Sequence, residues 1–130
     1  DARQLSFAGT ATGAVMLQSN FPRDLRAYAS QAVLQLDVKL LQGMASAVQL
    51  GFGCEGEGCR QLLPLASFLP DTANNTSAQW QTIQIPLQCF DKVNFAKIQQ
   101  SLIVQSGQAV SLQLADVRLQ PAAVKPLACR

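Results

Sequence analysis

The chain reads as an all-β protein, an antiparallel sandwich of two sheets with one or two short helical turns. Three observations carry this reading. Apolar and polar residues alternate at period two in several separate stretches, the spacing of strands with one buried face. Hydrophobic residues make up 48% of the 130 and charged residues only 14%, a balance that supports a core and argues against disorder. Turn residues divide the chain into about seven short strands, which fits a two-sheet sandwich.

Short strands are expected at Gln4–Phe7 and Ala14–Gln18. A loop follows over Phe21–Ala29. In Ala32–Leu41, Leu34, Leu36, Val38 and Leu40 face one way and Gln35, Asp37 and Lys39 the other, a half-buried antiparallel strand. After a turn at Gly43, Val48, Leu50 and Phe52 repeat the pattern. Gly53–Gly58 reads as a loop. Pro64–Leu69 fits a helical turn, with proline in its first turn, Leu65, Phe68 and Leu69 on one face, and Pro70 as its stop. Asp71–Ala78 is a loop. Ile83, Ile85 and Leu87 form another apolar face opposite Trp80, Thr82 and Gln84. Pro86 inside that run places it at a sheet edge or a bulge.

Asn94 is placed to cap a turn over Phe95–Ile98. Leu102–Gln105 is a further short strand. Val110, Leu112 and Leu114 continue the alternation, but Val117 and Leu119 carry it on odd positions. One extra residue near Ala115-Asp116 restores the register, so a β-bulge or strand break belongs there. The last ten residues, with Pro121 and Pro126, read as an extended tail. There is no internal repeat, heptad or low-complexity segment, and residues 1–130 are expected to form a single module.

The net charge of +2 and the scattering of ten Lys and Arg exclude a nucleic-acid footprint. Seventeen glutamines occupy the polar faces, giving a neutral, hydrogen-bonding surface that suits either plain water or a carbohydrate neighbour. No apolar run approaches the ~20 residues of a membrane helix. The polar start at Asp1 lacks the features of a secretory leader and is expected to be either an artificial boundary or the start of a processed fragment.

Four cysteines allow three fully paired connectivities. Zinc fits poorly, because Cys54-x4-Cys59 exceeds the commonest knuckle spacing, Cys89 and Cys129 are isolated, and histidine is absent. Disulfides are expected, and with them an exported protein. The short glycine-containing loop favours Cys54–Cys59, and Cys89–Cys129 then ties the tail to the body.

No nucleophilic triad is available without histidine, and paired thiols are not nucleophiles. Glu55 and Glu57 sit in a loop too small to straddle a sugar ring in glycosidase fashion, so they read as a solvated tip. Asp71, Asp91 and Asp116 are dispersed, the last two as turn or bulge residues. Calcium on a sandwich would use such carboxylates with backbone carbonyls, but no ligand spacing identifies a site, and no cofactor is expected. Trp80 is the only tryptophan and Tyr28 the only tyrosine. A flat exposed ring packs against the C–H face of a pyranose, whereas a lone Trp at a strand start more often packs at a core edge. Both readings stay open for these candidate ligand-binding residues. Asn74-Asn75-Thr76-Ser77 holds overlapping glycosylation sequons and marks an exposed loop.

Five segments taken in order, AVLQLDVKL, SAVQLGFGCEGEGC, LLPLASFLP, QWQTIQIPLQCF and QSLIVQSGQAVSLQLADVRL, span Ala32–Leu119. Their order and spacing resemble the C-terminal β-sandwich module of bacterial family 3 glycoside hydrolases, the exo-acting β-glucan glucohydrolases and β-glucosidases. The last segment resembles that family's closing hairpin. The resemblance implies a galactose-binding-like jelly roll, structural roles for Cys54, Cys59 and Cys89, and Trp80 as a hallmark of the module. Cys129 has no counterpart. It also implies a C-terminal fragment of a larger enzyme, whose nucleophile Asp and acid/base Glu lie in other domains, so that this fragment hydrolyses nothing alone. The implied partners are those catalytic domains and β-glucan or oligosaccharide, in the bacterial periplasm or outside the cell. The implied role is accessory sugar binding or, alternatively, structural support of the catalytic domains.

Overall fold

The computed structural model describes residues 2–69, 79–121 and 129, and of residues 18–22 the backbone. Eight strands form in chain order: β1 (Arg3–Ala8), β2 (Gly13–Arg23), β3 (Ala32–Gln42), β4 (Val48–Cys54), β5 (Arg60–Pro64), β6 (Trp80–Pro86), β7 (Ile98–Ser106) and β8 (Ala109–Pro121). They make two four-stranded antiparallel sheets, ordered β1-β8-β3-β6 and β2-β7-β4-β5. The all-β two-sheet expectation holds.

The alternation read from the sequence positions the core. Leu34, Leu36, Val38 and Leu40 of β3 meet Val48, Leu50 and Phe52 of β4 in one buried cluster, joined by Ile83, Ile85, Leu112 and Leu114. Phe52 packs edge-on against Phe90 and Phe95, at 4.9 and 5.4 Å between ring centroids, an arrangement that aromatic quadrupoles favour. The bulge in β8 is where the phase slip put it. Gln35 pairs with Arg118 and Asp37 with Ala115, so Asp116 and Val117 oppose Leu36 alone. Asp116 takes φ of 52°, the left-handed conformation that Asp tolerates better than most residues.

Short 3-10 turns occupy Leu65–Phe68 and Phe95–Lys97. Asn94 caps the second by accepting a hydrogen bond from the Ala96 amide at 3.0 Å. Pro86 ends the edge strand β6, the kind of position to which proline in sheets is confined.

Several details differ from the sequence reading, among them β7, which starts at Ile98 rather than Leu102. β5 is a strand that Arg60–Pro64 did not announce, because Leu62 and Leu63 are consecutive rather than alternating. β2 runs on to Arg23, into the expected loop. Leu87 leaves β6 for a 3-10 turn, Leu87–Cys89, while staying buried. The closing segment is not a hairpin. Ser106 of β7 pairs with Gly13 and Val48, and Ala109 of β8 pairs with Ala8. Gly107-Gln108 is therefore a corner that carries the chain from one sheet to the other. The loop with the sequons at residues 74–77 and most of the C-terminal tail lie outside the described residues.

The crossings between sheets set up the two ends of the sandwich. Residues 9–12, 43–47 and 107–108 cross at one end, and β6 starts there, since Trp80 pairs with Lys39 near the end of β3. The other end carries residues 24–31, the β4–β5 loop and residues 87–97. Gly43 starts the β3–β4 crossing with φ of 86°, and a Cβ there would strike the Ala109 carbonyl oxygen.

Candidate functional site

The outer face of the first sheet gathers the polar halves of four strands. On β6, Trp80, Thr82 and Gln84 face outward, opposite Lys39, Asp37 and Gln35 of β3. Gln113, Ala115 and Arg118 of β8 extend the face on the far side of β3. The pairs are joined across the strands. Thr82 Oγ1 donates to Asp37 Oδ1 at 2.6 Å, and Gln84 Nε2 donates to Gln35 Oε1 at 2.8 Å. Such cross-strand pairs fix side-chain geometry on a flat sheet. Ser6 and Ser111 continue the ladder at the β1 side, 3.2 Å apart.

Trp80 stands at the edge of this ladder. It is 44% exposed, so it is not a core residue. The Lys39 ammonium lies over its ring, 5.9 Å from the centroid, within cation–π range. An indole face bordered by amides, a hydroxyl and a carboxylate can stack on an apolar ring face and hydrogen-bond the hydroxyls around its rim. Sequence reading placed each of these residues on a polar face. It did not pair Asp37 with Thr82 or Lys39 with Trp80, because pairing requires the register between strands 40 residues apart.

Tyr28 is also exposed, at 48%, but it sits in the 3-10 turn Arg26–Tyr28 that precedes β3. Seven steps along β3 separate Ala32 from Lys39, or about 23 Å at strand spacing. Trp80 and Tyr28 thus occupy opposite ends of the sandwich and form no common surface.

Glu55 and Glu57 lie exposed in the β4–β5 loop. Glu55 comes within 3.9 Å of Lys97, a solvated pair rather than a catalytic one. Asp91 accepts a hydrogen bond from Gln61 at 3.2 Å. Asp24 is held below the usual carboxylate range by its hydrogen bonds from the Arg26 side chain, at 2.7 Å between Nη2 and Oδ2. Among the described residues, no three His, Cys, Asp or Glu side chains gather as a metal site.

Two disulfides form, Cys54–Cys59 and Cys89–Cys129, and among the described residues no cysteine is free. The first closes the β4–β5 loop, and the Asn94 amide donates to its Cys54 sulfur at 3.2 Å. The second ties Cys129 to the buried turn after β6. Two such bonds are characteristic of oxidising compartments. No described helix is long and apolar enough to cross a membrane.

A second feature lies at the β1/β2 edge, where the two sheets do not close. Leu5, Val15, Leu17, Leu102, Val104 and Leu114 line a cleft of about 210 Å³. Val15 and Leu17 are 44% and 52% exposed although they pair with Val104 and Leu102 of the core strand β7.

These features define a galactose-binding-like β-sandwich, a fold of accessory domains and not of a catalytic domain. Residues 1–119 match the Exop_C family, described as galactose-binding domain-like, and the chain belongs to that family. Among solved structures, it is similar to the exo-1,3/1,4-β-glucanase ExoP of a Pseudoalteromonas species, with 26% identity and a TM-score of 0.70 over 92% of this chain and 14% of that one. It is similar to the extra C-terminal domain (X) of that enzyme, with 25% identity and a TM-score of 0.69 over 92% of this chain and 62% of that one. The family 30 carbohydrate-binding module of a Clostridium thermocellum cellulosomal cellulase shares the fold, at 14% identity and a TM-score of 0.73 over 90% of this chain and 72% of that one. A comparison with curated proteins finds no match.

Proposed function

We propose that this chain is the non-catalytic accessory module of a bacterial family 3 glycoside hydrolase, periplasmic or secreted, and that it holds β-glucan or oligosaccharide beside the catalytic domains. The observation that carries the reading is the exposed Trp80 at the head of a hydrogen-bonded ladder, Asp37–Thr82 and Gln35–Gln84, on the outer face of the first sheet. Family membership and the resemblance to a domain of an exo-1,3/1,4-β-glucanase support the choice of β-glucan. In this reading the indole supplies the stacking surface, and the amides and the Thr82–Asp37 pair bond the ring hydroxyls. Tyr28, at the opposite end, lies outside that surface. Affinity electrophoresis in gels containing mixed-linkage β-glucan or β-1,3-glucan tests it. Retarded migration that is lost in Trp80→Ala supports the reading, and unretarded wild-type protein on both polymers removes it.

The exposed apolar edge favours a second reading, in which the module stabilises the catalytic domains by packing. Val15 and Leu17 with the cleft between them and Leu114 are the kind of surface that contact with another domain buries. In the parent enzyme, Leu17→Asp would then lower the melting temperature of the catalytic part, while Trp80→Ala would leave it unchanged.

A further inference from the structure

At the end of the sandwich where Trp80 sits, the corners between the sheets border a second, open cleft, on the side of the second sheet. Its volume is about 330 Å³. Thr12 comes from the β1–β2 crossing, Ser46 from the β3–β4 crossing, and Ser106 and Gln108 from the β7–β8 corner, with Gln49 and Gln105 as its sheet-borne wall. Every described residue lining it is uncharged.

The wall is built by register. Gln49 and Gln105 are direct partners across β4 and β7, each between core residues and so each facing outward. Arg60 of β5 reaches across β4 and donates to Gln105 Oε1 at 2.7 Å. The outward positions of β4 on that path are Gly51 and Gly53, which put no side chain in the way. Arginine carries only donors, so this bond fixes which amide atom is oxygen and leaves the Gln105 –NH₂ group turned from Arg60 as a donor. Beneath the corner, the buried Ser106 hydroxyl bonds the Gln108 backbone twice, donating to its carbonyl at 3.0 Å and accepting from its N–H at 3.2 Å. The corner is thus held in place while the Gln108 side chain stays exposed. Among the described residues, neither Gln49 nor Gln108 makes a side-chain hydrogen bond.

We infer that this cleft is a second binding site, for a short neutral saccharide segment. Amides and hydroxyls that both donate and accept match the hydroxyls of an uncharged sugar, whereas a phosphate or carboxylate ligand would find no cation among the described residues that line the cleft. The volume lies at the low end of the roughly 300–1,000 Å³ of small-molecule sites, on the scale of a mono- or disaccharide unit. The inference rests on the accessory carbohydrate reading above, but it uses none of the residues of the Trp80 face.

The test is a ¹⁵N NMR titration of the chain with laminaribiose and cellobiose, following the glutamine side-chain amides and the Trp80 indole as separate reporters. Saturable shifts of the Gln49, Gln105 and Gln108 amides are expected. In Gln49→Ala/Gln108→Ala, which removes no side-chain hydrogen bond among the described residues, the Gln105 response should need about fivefold or more sugar, since two neutral hydrogen bonds of modest net worth are gone. A response of the Trp80 indole alone overturns the cleft and leaves the accessory reading intact. Glutamine shifts that grow without saturation, or that the double substitution leaves unchanged, also overturn it. No response at either reporter overturns both.

Discussion

Lys39 and Trp80 are direct partners in the β3–β6 ladder, and the ammonium of the first lies 5.9 Å from the ring centroid of the second. The cation therefore occupies the space that a sugar ring would use on that side of the indole. An exposed cation–π contact is worth about 0.5–1 kcal/mol, small enough for a ligand to displace. Lys39→Ala should lower the stability of the free protein by no more than about 0.5–1 kcal/mol and should tighten oligosaccharide binding about two- to fivefold, the release of that same contact. Binding curves for the two proteins check this. Weaker binding in Lys39→Ala would instead make the ammonium a direct ligand contact.

Gly51 and Gly53 should respond differently to the same substitution. A Cβ at Gly51 would collide with the Gln61 backbone carbonyl, which the β4–β5 ladder holds in place. At Gly53 the obstacle is the end of the flexible Gln100 side chain. Gly51→Ala is expected to cost about 2–3 kcal/mol and Gly53→Ala about 1 kcal/mol or less, as overpacking against rigid and yielding neighbours implies. Urea unfolding of both variants measures the difference.

At the β8 bulge, Asp116 holds its positive φ without being glycine. Asp116→Gly is expected to be neutral or slightly stabilising, and Asp116→Val to cost about 1–2 kcal/mol, because a β-branched side chain is strained in that conformation. Thermal unfolding of the pair checks the order. If Val is tolerated as well as Gly, the bulge geometry is not what fixes the residue.

The disulfides close loops of 5 and 40 residues by sequence separation. On the loop-entropy account they limit the unfolded chain by about 2 and about 4 kcal/mol respectively. Replacing Cys89 and Cys129 by Ser should therefore destabilise the fold more than replacing Cys54 and Cys59. Equal losses would show that the β4–β5 loop depends on its bridge for local structure rather than for chain entropy.

Stability should be nearly flat from about pH 5 to 8, since no histidine is present and no other side chain ordinarily titrates there. The Asp24 carboxyl is lowered by its hydrogen bonds from Arg26. Its contribution is complete above the ordinary carboxylate value and fades as the pH falls below about 4, through its folded value. The pair is fully exposed, so the loss should be shallow. Urea midpoints across this range, with Asp24→Asn as the flat control, measure it.

Much of this fold is legible in the sequence because one-sided burial writes itself as alternation. Leu34 to Leu40, Val48 to Phe52 and Val110 to Leu119 gave strand, face and bulge together. β5 was hidden because Leu62 and Leu63 adjoin, one facing inward toward the core and one outward beside Gly51. The face around Trp80 was half legible. The outward residues followed from period two, but their partners did not, since Asp37 and Thr82 meet only through the long-range register. The glutamine cleft was not legible at all. Thr12, Ser46 and Gln108 come from three separate crossings, and the corner at Gly107-Gln108 resembles a hairpin turn until the two flanking strands are seen in different sheets.

Because Trp80 is the only tryptophan, its fluorescence reports on one place in the molecule. Titration of the chain with mixed-linkage and β-1,3-gluco-oligosaccharides, followed by that emission, tests the central claim most directly. The account predicts a saturable change in intensity or wavelength, and no change with a non-glucan oligosaccharide at the same concentration. An emission that stays constant up to millimolar gluco-oligosaccharide, in a protein shown to be folded by circular dichroism, would contradict it.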